Sequence, residues 1–300
     1  MPKIRSQGLR VWYQKLLELS SRHDVPTPVR EHIAQVSIEL PHLDPSEMSL
    51  DETTRAFGLK KSDRGYQLWQ FRKVEINLPE SFLCNLNAFE SLTQRAKGTE
   101  ARLRYKLDTL ISAVYQALVT QNMLVNGPTI TLAHETTVSW GPIIYKDELY
   151  LCIGRANYSL FFGEKDHLAC HIVMIEAETV FGDGDAQLLA YMSMIQADRK
   201  KRGQPDWTVY GVLSDGETFV FYDLDMNGQY TVVYLQVQRE GWQMVANMLG
   251  SLIIEGMKTC SSPVRSSLAS NPSPRHSHKQ TPPQLPPLGT LPSIEDMMKT

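Results

Sequence analysis

Two carboxylates, Glu176 and Glu178, carry the clearest chemical signal in this chain. They close the run Cys170-His-Ile-Val-Met-Ile-Glu-Ala-Glu178, whose apolar content predicts a strand. Side chains alternate along a strand, so both acids project from one face while Ala177 faces the other. Carboxylates held that close repel each other and resist desolvation, and a divalent cation relieves both costs. The pair marks a place for a metal, or the remains of one.

Several elements must position these acids. Ahead of them, 149–163 reads as two short extended runs joined around 154–156 and closed by Gly163. Behind them, Gly182-Asp-Gly-Asp185 opens a helix over 186–201, with Leu188, Leu189, Met192 and Ile195 on one face. Strands are predicted over 207–213 and 218–224, joined by the tight-turn sequence Ser214-Asp-Gly-Glu217. Upstream, a long helix begins at Glu100, with Leu103, Leu107, Leu110, Val114 and Leu118 at helical spacing. Counting back by three predicts that Glu100 lies on that inward face, where a carboxylate also complements the helix dipole. Residues 129–140 read as a strand pair or extended loop, with His134 and Glu135 as turn or surface groups.

Four segments in order, Gly154-Arg-Ala-Asn-Tyr-Ser-Leu160, Ile175-Glu-Ala-Glu178, Gln187-Leu-Leu-Ala-Tyr-Met192 and Gly211-Val-Leu-Ser-Asp-Gly216, resemble the PD-(D/E)XK nuclease superfamily. The likeness is to a largely uncharacterised fungal group of that superfamily. It implies a restriction-endonuclease-like fold in which a glycine-arginine run leads to a metal-binding aspartate and the central strand ends in Glu-x-Lys. An upstream helix supplies another glutamate, and the following helix starts with a glutamine. Carried over by residue, Glu176 matches the metal-binding acid, Gln187 the helix glutamine and Glu100 the upstream glutamate. Asn157 stands where the aspartate is expected, and Glu178 where the lysine is expected. An amide is a weaker ligand for a hard cation than a carboxylate, and a glutamate cannot donate hydrogen bonds to an attacking water. Among the loop acids that could replace the aspartate, Asp185 is favoured because it lies two residues before Gln187.

The leading reading is a nuclease-like protein with an altered active site that would hydrolyse phosphodiesters with Mg²⁺ or Mn²⁺. Glu176, the carbonyl of Ala177, Glu100 and the Asn157 position would hold the metal, with Glu178 and Gln187 completing the site. Arg155 and the run Arg199-Lys-Lys-Arg202 form a candidate phosphate patch for DNA or RNA. The competing reading keeps the fold as a catalytically inactive binding or interaction module. A third is an unrelated α/β protein whose acids are solvated.

The 300 residues, 42% of them hydrophobic, suffice for a sizeable core, and a net charge of −3 gives no global attraction to nucleic acid. Cys84, Cys152, Cys170 and Cys260 show no zinc or Cys-x-x-Cys spacing and read as reduced thiols. With no signal-peptide or membrane-spanning pattern, the expectation is a soluble intracellular protein of nucleus or cytoplasm, without membrane association. The expected fold class is α/β, a restriction-endonuclease-like mixed central sheet flanked by helices over 96–260. A helical accessory region precedes it over 1–95, with helices at 9–19 and 32–40 and a linker at 41–52. Residues 66–76 mix aromatic and basic groups. After a further strand at 230–235 and a helix at 242–257, residues 261–300, rich in Ser and Pro, form a disordered tail that could engage a protein partner.

Overall fold

The computed structural model of the chain describes residues 40–63, 74–93, 99–125, 127, 129–163, 169–176 and 184–261, with backbone only for 169–176 and 259–261. The helix expected at 9–19, all but residue 40 of the helix expected at 32–40, most of the aromatic-basic stretch 66–76, and the tail beyond 261 lie outside the described residues. In chain order the elements are β1 (His42–Leu43), a 3₁₀ turn (Pro45–Glu47), α1 (Leu50–Phe57), β2 (Lys60–Lys61), α2 (Glu80–Leu92) and α3 (Glu100–Thr120). They continue with β3 (Ile130–Tyr145), β4 (Glu148–Phe162), β5 (Ala169–Glu176), α4 (Gly184–Lys201), β6 (Val209–Ser214), β7 (Thr218–Leu224), β8 (Gln229–Gln236) and α5 (Val237–Ser261).

The strands form one mixed eight-stranded sheet in the order β1-β4-β5-β6-β7-β8-β2, with β3 paired to β4. Strand β4 is antiparallel to β3 and to β5, whereas β5 and β6 run parallel. Parallel neighbours need a crossover, and α4 supplies it. Strands β6, β7 and β8 form an antiparallel meander. Residues 40–63, assigned by sequence to an accessory portion, contribute β1 beside β4 and β2 beside β8, both parallel.

Alternation along β6 and β7 sorts their side chains between two cores. Tyr210, Val212, Phe219 and Phe221 pack with α2, α3 and α5, and Val209, Leu213, Val220 and Tyr222 pack with α4. Both strands are buried along their full length, which explains why they read as near-continuous apolar runs. Helix α3 shows the expected stripe, with Leu103, Leu107, Leu110, Val114 and Leu118 all buried. Helix α4 is buried nearly all round from Ala186 to Ile195, because the sheet covers one side and α1 with the 3₁₀ turn the other. Gly211 is the close-approach residue of β6: an added Cβ would lie 2.5 Å from Met192 Sδ. Among the described residues no helix is long and apolar enough to cross a membrane.

Two sequence expectations are corrected here. Residues 41–52 are not a linker: Asp44 caps the 3₁₀ turn and Ser49 with Glu52 forms a capping box for α1. The runs at 129–140 and 149–163 are not short pieces but one hairpin of 16- and 15-residue strands, turning at Lys146 and Asp147 with φ of +47° and +63°. Both residues lie in the left-handed region that permits a two-residue hairpin turn.

Candidate functional site

The long hairpin carries an irregularity where the resemblance places its metal-binding residue. Pairing stays in register on either side, with His134 opposite Tyr158 and Thr136 opposite Ala156. Yet Tyr158, Leu160 and Phe162 join the core under α3, whereas Cys152 and Ala156 join the core under α4. All five are even-numbered, so strict alternation would put them on one face. The alternation is therefore reset at Asn157, opposite Glu135, whose φ of +50° is left-handed. Asn157 is half-buried at this kink.

Helix α3 approaches the kink from one side. The Tyr158 hydroxyl donates to the Arg104 carbonyl at 3.4 Å, and the His134 ring meets Tyr158 edge-on at 5.0 Å. Arg104 binds Glu100 at 2.7 Å and one oxygen of Glu135 at 3.4 Å, while Arg155 binds the other oxygen of Glu135 at 3.1 Å. The result is an alternating chain, Glu100, Arg104, Glu135, Arg155. The Glu100 side chain is 58% exposed, which corrects the expectation that it lies on the inward face. At the first turn it swings outward to pair with Arg104 one turn on, and the buried stripe begins only at Leu103.

Helix α4 closes the other side. Gln187 donates to the Tyr191 hydroxyl at 3.2 Å, which donates to the Arg155 carbonyl at 3.1 Å. Burial pushes the Tyr191 phenol up, so it stays a neutral donor. The ring also occupies the space above Gly154, where an added Cβ would lie 2.5 Å from its Cε1 and hydroxyl. Asp185 does not turn toward Asn157: it accepts the Tyr222 hydroxyl at 2.6 Å.

Register fixes the remaining position. Glu176 ends β5 beside Ser214 of β6, and β5 meets β4 from Tyr158 onward, so 157 lies beside the rim formed by the end of β5. The side chain of Glu176, the whole of Glu178 and the Ala177 carbonyl lie outside the described residues. Next to Ser214, the turn to Glu217 docks on α3 with Gly216 at φ +78°, close to Leu103 and Lys106. Lys106 is 6% exposed and holds Glu90 at 2.9 Å and Glu217 at 3.6 Å, while Arg102 binds Glu90 as well. Burial pushes the Lys106 ammonium below its ordinary range, with Glu217 opposing. Sequence reasoning missed this lysine; the available signal was a cation three residues after Leu103 and four before Leu110, on the apolar stripe itself.

The basic run at the end of α4 is a different place. Twelve residues separate Gln187 from Arg199, which at ~1.5 Å per helical residue is ~18 Å along the axis. Arg199 is 3% exposed and donates to the carbonyls of Asp206 and Thr208, which makes it a loop anchor. Lys200 stands over the Trp207 ring at 5.5 Å, Lys201 over Trp140 at 5.8 Å, and Arg202 pairs with Asp198 at 2.8 Å. Arg155 and 199–202 are thus not brought together as one patch.

A hard divalent cation needs several anionic oxygens. Among the described residues no group of three or more His, Cys, Asp or Glu side chains is arranged to hold one. The described donors do not fit such an ion: Glu100 and Glu135 are neutralised by guanidinium groups, and position 157 offers an amide. Comparison with models of known families finds none that matches this chain, and comparison with curated proteins finds no match.

Proposed function

We propose that this chain is a binding module built on a restriction-endonuclease-like fold of the PD-(D/E)XK type, which keeps the architecture and has lost phosphodiester hydrolysis. The fold reading is supported by the succession of a helix, three antiparallel strands, a crossover helix and a strand parallel to the third. It is further supported by Asn157, Glu176 and Gln187 approaching one rim from three elements.

The observation that carries the loss of turnover is the ion-pair chain at the kink. Where a nuclease would present unpaired carboxylates to Mg²⁺ or Mn²⁺, Glu135 is bracketed by Arg104 and Arg155, and Arg104 also holds Glu100. A guanidinium in the first contact layer of a carboxylate competes directly with a metal for its oxygens. Asn157 subtracts a further negative charge.

The test is to incubate the purified full chain with single- and double-stranded DNA and RNA in Mg²⁺ or Mn²⁺. The expected outcome is intact nucleic acid, with no heat of Mn²⁺ binding to the parent and measurable binding to the double variant Asn157→Asp, Glu178→Lys. Cleavage by the parent that Glu176→Ala abolishes would overturn this reading in favour of metal-dependent hydrolysis. Absence of Mn²⁺ binding by the double variant would count against a degraded metal site.

A further inference from the structure

At the far end of α4, away from Gln187, the sheet and its turns enclose a cleft of about 510 Å³. Its walls come from four directions: Phe57 and Gly58 after α1, Trp140 from β3, Gln196 and Lys200 from α4, and Trp207 with Asn227 from the loop before β6 and the β7–β8 turn. The two tryptophans are half-buried, and each has a lysine ammonium over its ring: Lys200 over Trp207, and Lys201 at the margin over Trp140.

The charged groups around this cleft are partnered unequally. The nearby acids are committed: Asp198 to Arg202, Asp206 to the Thr208 amide at 2.8 Å, and Asp225 to the amides of Asn227 and Gln229 at 2.8 Å each. Among the described residues neither Lys200 nor Lys201 has a carboxylate partner; their compensation comes from the aromatic faces. The tryptophans are held in place independently of the lysines. The Trp207 indole N–H donates to the Met226 carbonyl at 3.1 Å, and Trp140 packs on the core under α4. Two fixed indole rings beside two exposed ammonium groups that have no carboxylate partner among the described residues suit a ligand that is planar, aromatic and anionic. The volume lies within the range of small-molecule sites, ~300–1,000 Å³.

We propose that this cleft binds one unpaired nucleotide, its base against Trp140 or Trp207 and its phosphate at Lys200 and Lys201. Stacking on an aromatic face is available to every base, and lysine contributes the sequence-independent phosphate contact. Inside a duplex both faces of each base are covered by stacked neighbours, so duplex interiors are excluded. The site deepens the binding-module reading, on which it rests for the class of ligand, and it lies at the opposite end of α4 from the altered rim. The nucleotide can come from two sources, a free nucleoside monophosphate or a unit of a single strand.

The experiment uses the full chain in chelator-containing buffer, where metal-dependent hydrolysis cannot consume the probe. AMP, UMP, a single-stranded decanucleotide and the matching duplex are titrated while tryptophan fluorescence and, for the labelled strands, anisotropy are followed. The expected result is quenching by the single strand or the monophosphates and none by the duplex. A strand that binds where monophosphates do not identifies the strand as the source; equal affinity per site identifies the free nucleotide. Lys200→Ala with Lys201→Ala is expected to weaken binding about tenfold and to lower the log–log salt slope by about 1.4, at ~0.7 per lost contact to a single strand. Because both lysines are exposed, this variant keeps the fold, and Trp207→Phe separately reduces the quench while preserving a packed ring.

Binding by the double lysine variant as tight as the parent's, or no binding of any probe by the parent up to about millimolar, overturns the proposal. If the parent cleaves strands in Mg²⁺ while the lysine variants still lose affinity, the binding-module reading fails and the cleft stands. If no cleavage occurs and the variants bind normally, the cleft fails and that reading stands.

Discussion

Replacing Lys106 by methionine tests whether the buried ion cluster beside the rim is a fixed structural clamp. Methionine has nearly the same shape as the lysine stem, so the change removes the ammonium while leaving Leu103, Gly216 and the rest of the packing in place. Removing one partner of a fully buried pair costs ~3–5 kcal/mol because the other charge is stranded. Here Glu90 keeps Arg102 and is 30% exposed, and Glu217 is 57% exposed, so the expected cost at neutral pH is smaller, about 1–2 kcal/mol. The pH dependence supplies a second, independent reading. Burial holds the folded-state ammonium below its ordinary value of 10.5, with Glu217 opposing that shift and Arg102 adding to it. Between that lowered value and 10.5 the unfolded chain binds more protons than the folded one, so stability from this group rises with pH across that window. The variant lacks that rise. Urea unfolding of parent and variant at a series of pH values should show a gap of about 1–2 kcal/mol that widens as pH approaches 10.5, with the tyrosines cancelling in the difference. A gap that closes with rising pH would mean that Glu90 and Glu217 hold the ammonium more strongly than burial opposes it. A gap below about 0.5 kcal/mol at every pH would show that the cluster is not a clamp at all.

Gly154→Ala should destabilise the chain by about 2–4 kcal/mol, since its Cβ meets the buried Tyr191 ring and hydroxyl at 2.5 Å and displaces the bonds to Arg155 and Gln187. Adding Tyr191→Leu should recover part of that loss in urea unfolding, and independent, additive losses would refute the contact. Ser49→Ala should cost about 1 kcal/mol in the same assay by removing the helix cap. The Glu52 carboxyl, held down to about 2 by the Ser49 amide first and by Lys146 next, contributes stability that is present above 4.5 and is lost as pH falls through about 2; a parent whose stability is flat across that window contradicts the assignment. Burial pushes the Cys152 thiol up to about 12, whereas Cys84 is exposed, so mass spectrometry after iodoacetamide treatment near pH 8 should find Cys84 labelled at least ~100-fold faster in the folded chain. Equal labelling would mean that the middle of β4 opens on the timescale of the reaction.

What the sequence makes legible is what a single period governs. The start of α3 at Glu100, its buried stripe and the strand at 218–224 follow from spacings of 3.6 and 2 residues. The candidate site is legible only as a set of positions, because its geometry depends on a place where the period breaks. Counting along β4 assigns Ala156 and Tyr158 to one face, and the reset at Asn157 undoes that count. Its partner anomaly is a left-handed glutamate, a conformation with no marker in residue type, unlike the glycines at 58 or 228. Glu100 fails for a related reason: at a helix's first turn the stripe has no preceding turn to pack against, and an arginine four residues on draws the carboxylate outward.

The run Arg199-Lys-Lys-Arg202 carries the same lesson from the opposite direction. Consecutive helical residues point ~100° apart, so four adjacent cations cannot share one face. One turns inward to anchor a loop, two cover tryptophans and one pairs with Asp198; of the middle two, Lys200 lines the cleft and Lys201 stands over Trp140 at its margin. A charge run in a terminal turn therefore specifies a phosphate site only after the neighbouring acids have been assigned. Here Asp206 and Asp225 accept backbone amides and Asp198 pairs with Arg202, which leaves Lys200 and Lys201 without a carboxylate partner among the described residues.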